Sequence, residues 1–206
     1  MGRGRGGGRA LTAFVLGLTG PMGAGKTTVA AMLRELGAKV LDADAIARDE
    51  LLRGTVGYSA IVQQFGTGVL GPDKEVDRAK LAAEVFADPE KLLRLERILH
   101  PRVIARILEA RSMLPDDAVL AVEAIKLLET PLRRVCDRIW VVLADRRVLL
   151  ERLGGRGVQE ADALARLAHQ ADEAELRAAA DLVIANDGDR AEVRREVEEG
   201  WRALRG

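Results

Sequence analysis

The sequence has almost nothing with which to staple itself, build a zinc site or stack nucleobases. Its single cysteine, Cys136, excludes an intramolecular disulfide and any cysteine-rich metal cluster, and it suits a reducing compartment. Cys136 is therefore read as structural or incidental. Lys+Arg and Asp+Glu stand at 32 each, so no overall field draws the chain to nucleic acid or an anionic membrane. Aromatic residues make up 3%, too few for the stacking surfaces of single-strand binders. No apolar run is long enough to cross a bilayer. What remains is an ordinary globular composition, 48% hydrophobic and 31% charged, in 206 residues. That length allows one good core and not two large domains.

The opening MGRGRGGGR, followed by an apolar stretch to Leu18, imitates a secretion signal. The apolar part is also the strand that feeds the loop described next, and cleavage after it would destroy that loop. Secretion is rejected. A disordered leader over residues 1–10 is expected, ahead of one domain over 11–206. An arginine–glycine tail for RNA is the weaker alternative, because the run is short and lacks aromatics.

Gly20 to Thr27 read GPMGAGKT, a complete phosphate-binding loop, with Thr28 directly after it. Gly20, Gly23 and Gly25 allow the backbone to turn its N–H groups inward at φ > 0. With Pro21, Met22 and Ala24 they form a nest for anionic oxygens at the positive end of the following helix. Lys26 is expected to reach the β- and γ-phosphates, and Thr27 to offer its hydroxyl to Mg²⁺. A short apolar run, Ala13–Leu18, precedes the loop as a buried parallel strand, and Lys26–Leu36 has helical periodicity.

Strand-like runs and helical stretches then alternate to the end. Lys39–Asp44, Ala118–Ala124, Arg138–Ala144 and Asp181–Asn186 are the further strands. A helical region spans about 46–113, punctuated by Gly66–Pro72 and by Pro89 and Pro101, which end or kink helices. A stretch over about 153–172 contains GGRG at Gly154–Gly157, and Arg190–Arg205 closes the chain as an amphipathic helix. This alternation predicts an α/β fold of three layers, with a parallel five-stranded sheet between helices. Ligands in such folds sit beyond the carboxyl ends of the strands.

Asp42, Asp44 and Glu123 stand where strands should end. Two apart on an extended segment, Asp42 and Asp44 would point to one side. A carboxylate at such a place handles Mg²⁺ or its water shell in phosphate-loop proteins, and the competing reading is helix capping.

In order along the chain, GLTGPMGAGKTTVA (Gly17–Ala30), LGAKVLDADAIAR (Leu36–Arg48), VDRAKLAAEVFAD (Val76–Asp88), LERILHP (Leu95–Pro101) and ADLVIANDG (Ala180–Gly188) resemble the dephospho-coenzyme A kinases. The resemblance implies transfer of the ATP γ-phosphoryl group to the ribose 3′-hydroxyl of dephospho-coenzyme A, the last step of coenzyme A synthesis. It implies Asp44 as general base, Asp42 near the metal and phosphates or only holding the loop, and Arg48 beside the acceptor. Arg156 would be a lid arginine over ATP, and Asn186 and Gly188 would line the adenine pocket. Mg²⁺ would be held at Thr27, Glu123 and Asp42. His100 is expected in the acceptor pocket or as a structural group, and His169 and Gln170 as structural. Region 46–113 would bind the acceptor and 153–172 would be the lid. No nucleic-acid or membrane partner is expected, and the enzyme would be a cytoplasmic monomer or weak homo-oligomer. The chain departs from the family pattern at Ile125 and Lys126, and at Leu176, where a basic residue is expected near ATP. Another phosphate-loop small-molecule kinase is the first alternative. A nucleotide-dependent switch is the second, and it lacks an N-K-x-D motif.

Overall fold

The computed structural model describes residues 13–205, so the leader expected over 1–10 lies outside the described residues. Five strands form one wholly parallel sheet: β1 (Phe14–Thr19), β2 (Lys39–Asp42), β3 (Val119–Glu123), β4 (Arg138–Leu143) and β5 (Leu182–Ala185). Their spatial order is β2-β3-β1-β4-β5, with Leu16 level with Ala121 on one side and Arg138 on the other. The three-layer expectation is met. Alternate residues enter opposite cores, as the two-residue period of a strand requires. Leu16, Leu18, Ala121, Trp140, Val142 and Ile184 pack on one face, against α1 (Lys26–Glu35) and α9 (Arg190–Arg205). Val15, Leu120, Val122, Ile139, Val141 and Leu143 pack on the other, with Val103 and Ile107 of α5 (Pro89–Ser112).

The region between β2 and β3 is helical: α2 (Ala43–Asp49), α3 (Val56–Phe65), α4 (Arg78–Phe86) and α5. Ile61, Val69, Leu81 and Val85 give it a small core of its own. Pro89 opens α5 in its first turn, where its missing N–H costs nothing. Pro101 does not end that helix, which continues to Ser112; the Arg102 guanidinium donates to the Ile98 carbonyl beside it. After β4 come α6 (Arg146–Gly154), α7 (Glu160–Ala168) and α8 (Glu173–Ala179).

The extended reading of Asp42–Asp44 is corrected. β2 stops at Asp42, whose side chain accepts the Ala45 amide at 2.9 Å and so starts α2. Asp44 sits in the first turn of that helix. A free helix amide wins the Asp42 carboxylate, and the chain leaves the sheet there.

Cys136 packs beside Gly17, and burial pushes its thiol up to about 12, so it stays a neutral core group. This agrees with its structural reading.

Candidate active site

The loop between β1 and α1 needs its glycines. Gly20, Gly23 and Gly25 have φ of 141°, 88° and 95°. A Cβ on Gly20 would stand 2.0 Å from the Val142 carbonyl oxygen, and one on Gly25 2.0 Å from Asn186 Nδ2. No side chain caps the start of α1. The Met22 and Ala24 amides are taken by Gln170 and by the Pro21 carbonyl, so the amides of Gly23, Gly25, Lys26 and Thr27 stand as donors for an anion. Lys26 is buried, and its Nζ donates to the carbonyls of Gly20 at 2.9 Å and Pro21 at 3.1 Å. Burial holds its pKa below the ordinary lysine value, against the pull of Glu123 and Asp44.

The acids gather opposite. The Thr27 hydroxyl donates to Glu123 Oε1 at 3.0 Å. Burial raises the Glu123 pKa, opposed by that hydroxyl and by Lys26. Asp42 pairs with Arg48 at 3.5 Å. The Asp44 pKa is raised by burial, opposed by the Ile125 N–H at 3.4 Å, and the neighbouring Asp42 charge raises it further. One cleft is thus lined by Gly23, Gly25, Lys26 and Thr27 of the loop, by the cations Arg48 and Arg156, and by Asp42, Asp44 and Glu123.

A second, mostly apolar pocket of about 190 Å³ opens between α2, α5 and the segment after β3. Ala47, Leu99, His100, Val103 and Lys126 help line it. Asp44 is the one described residue on the walls of both the cleft and this pocket.

Asn186, at the end of β5, is buried under the loop and donates to the Ala24 carbonyl at 2.6 Å. Arg152 of α6 was not singled out from the sequence. Its guanidinium lies 3.4 Å from the carbonyls of Gly23 and Ala24 and 3.5 Å from Asn186 Oδ1, which ties α6 to the loop. Gln170 accepts the Met22 amide at 3.0 Å, so it is a loop contact as well as a structural group. Thr28 is half-buried in the first turn of α1, while Gly188 stands in open space.

Leu176 is a core residue of α8, 4% exposed and packed in the cluster with Leu132 and Val141. The basic residue expected there would bury an unpaired charge, and its neighbour Arg177 instead pairs outward with Glu173.

Thr27, Glu123 and Asp42 offer the hard oxygens that Mg²⁺ prefers. Among the described residues there is no cluster of three metal-binding side chains. Nucleotide-bound Mg²⁺ needs none, since phosphates and water fill most of its octahedron. The donor set fits that ion.

The family model for dephospho-CoA kinase matches residues 14–192. A dephospho-CoA kinase of Streptomyces avermitilis is 44% identical over 190 residues, 92% of this chain and 93% of the relative. A crystal structure from Thermus thermophilus superposes with a TM-score of 0.82 at 32% identity, covering 94% of this chain and 99% of that one. The dephospho-CoA kinase of Campylobacter jejuni gives 0.68 at 27% identity, covering 92% and 96%.

Proposed function

The chain belongs to the dephospho-coenzyme A kinase family, and from that premise we propose how its residues move the γ-phosphoryl group of ATP to the 3′-hydroxyl of dephospho-coenzyme A. The activity is that of the family: ATP and dephospho-coenzyme A give ADP and coenzyme A. The observation that carries the assignment of roles is the position of Asp44 on both the loop cleft and the apolar pocket. A base for this reaction must face the donor phosphate and the acceptor hydroxyl together.

ATP would lie with its phosphates on the loop amides, its adenine toward Asn186 and Gly188, and the acceptor in the apolar pocket with His100. The 3′-oxygen attacks the γ-phosphorus and the bond to the β-phosphate oxygen breaks. The hydroxyl proton passes to the Asp44 carboxylate. Lys26 turns from the Gly20 and Pro21 carbonyls to the β/γ oxygens, and Arg156 closes on the equatorial oxygens. Arg48 would steer the acceptor beside Asp44. The transferred group is already reactive once held in line, so these residues act by position and charge. Mg²⁺, held by Thr27 with Glu123 and Asp42 through its water shell, would neutralise charge on the β- and γ-oxygens. The helices of 46–113 form the acceptor side, and 153–172 the lid.

We also read the enzyme as a cytoplasmic monomer or weak homo-oligomer without nucleic-acid or membrane partners, consistent with its neutral charge balance. No helix among the described residues is long and apolar enough to cross a membrane.

The test is product identity. With Mg·ATP and dephospho-coenzyme A, mass spectrometry should find coenzyme A formed in step with ADP, far faster than with AMP, shikimate or water. A flat response, or another acceptor preferred, would overturn the assignment.

A further inference from the structure

The apolar pocket carries one feature that phosphoryl transfer itself does not use. Lys126 lies on its wall, exposed, and forms no hydrogen bond or ion pair among the described residues. The other charged side chains lining that pocket are acids, Asp44 and Glu96. Among the described lining residues Lys126 is the one with a permanent positive charge. The backbone just before it is pinned at both polar atoms: the Ile125 N–H meets Asp44 Oδ2 at 3.4 Å, and the Ile125 carbonyl accepts the Thr19 hydroxyl at 3.1 Å. The Lys126 Cα is thus held next to the proposed base, while its side chain is left to swing over the pocket mouth.

The acceptor's chemistry matches that arrangement. Dephospho-coenzyme A carries a 5′-diphosphate one ribose away from the 3′-hydroxyl. With the hydroxyl at Asp44 and the acceptor in this pocket, the proposed pose brings the diphosphate to the Lys126 wall. There two carboxylates would repel it, with no other fixed cation lining the pocket to answer them. We propose that Lys126 is an acceptor-binding residue that pairs with the 5′-diphosphate of dephospho-coenzyme A and so selects diphosphate-bearing acceptors over bare nucleosides. This rests on the placement of the acceptor in the apolar pocket. The pair would lie at the exposed rim, so it acts on affinity and encounter and is screened by salt.

The test compares the wild-type enzyme with Lys126→Met and Lys126→Arg in steady state, at low and high salt, varying each substrate in turn. Lys126→Met should raise the KM for dephospho-coenzyme A about five- to twentyfold at low salt, the range for a partly screened charged hydrogen bond. Its kcat and its KM for ATP should stay within about twofold, high salt should shrink the gap, and Lys126→Arg should restore most of the affinity. An unchanged acceptor KM overturns the proposal. A change confined to the KM for ATP would assign the lysine to the donor phosphates and overturn it equally. Failure of the family assignment would look different, because the wild-type enzyme would then make no coenzyme A.

Discussion

The Thr27 hydroxyl and the Glu123 carboxylate meet at 3.0 Å, joining the end of the phosphate loop to the end of β3. In the proposed mechanism both oxygens would serve a metal on the β/γ-phosphates. Glu123→Gln keeps the contact with Thr27 and removes the charge. The concentration of Mg²⁺ giving half-maximal rate should rise about 10–100-fold, the usual loss when an outer-shell carboxylate is neutralised. Mg²⁺ titrations of initial rate check this, and an unchanged midpoint would remove Glu123 from the metal site.

Burial raises the pKa of Asp44, with Asp42 adding to it. As the proposed base the carboxylate must be ionised to take a proton, so the acid limb of activity should lie above the ordinary aspartate value. Asp42→Asn keeps a capping side chain at α2 and removes one like charge. It should move the acid limb of kcat/KM to lower pH, which a pH–rate profile of both proteins would reveal.

The same shift has a stability consequence. The folded state binds the Asp44 proton more tightly than the unfolded chain does. The charged carboxylate therefore costs stability that is absent below the ordinary carboxylate range and appears as pH rises through the raised folded value. Asp44→Asn should melt at least as high as the wild-type protein at pH 8, with the difference shrinking toward pH 4. A mutant that loses more stability at pH 8 than at pH 4 would contradict the sign.

Gly20 separates crowding from backbone strain. Its Cβ would collide with the Val142 carbonyl at φ 141°, whereas Gly37, at φ 101°, has nothing within 4 Å. Gly37→Ala should cost only the strain, about 1–2 kcal/mol. Gly20→Ala adds overpacking of about 1–3 kcal/mol. Urea unfolding of the two variants measures the difference.

The alternation of strands and helices and the loop were legible because period and motif are local. The alternate faces of β1, β3 and β4 follow directly from their apolar runs. The end of β2 was misread because Asp42 serves as a helix cap, a choice between strand and helix that its acidic neighbours do not reveal. Arg152 is one arginine among many in its stretch, and only packing against Ala24 and Asn186 distinguishes it. Gln170 reaches the loop from a chain position 148 residues away from Met22, a contact no local pattern encodes. Leu176 could be placed in the core only once α8 was seen against β4.

Arg156 lines the cleft and its charge lowers the Lys26 pKa, after burial, which dominates. Arg156→Ala should cut turnover about 10²–10³-fold, as loss of a charge-stabilising donor does. The acceptor KM should change far less. A change in acceptor KM at normal kcat would deny it the lid role.

Asp44 is the proposed base, and single-turnover transfer by Asp44→Asn tests that role most directly. With saturating Mg·ATP and dephospho-coenzyme A, the rate of coenzyme A formation should fall by about 10²–10⁴, the worth of a positioned base. ATP affinity measured on the same protein should hold. Transfer at the wild-type rate, or loss of ATP binding in its place, would contradict the assignment of Asp44 as the base.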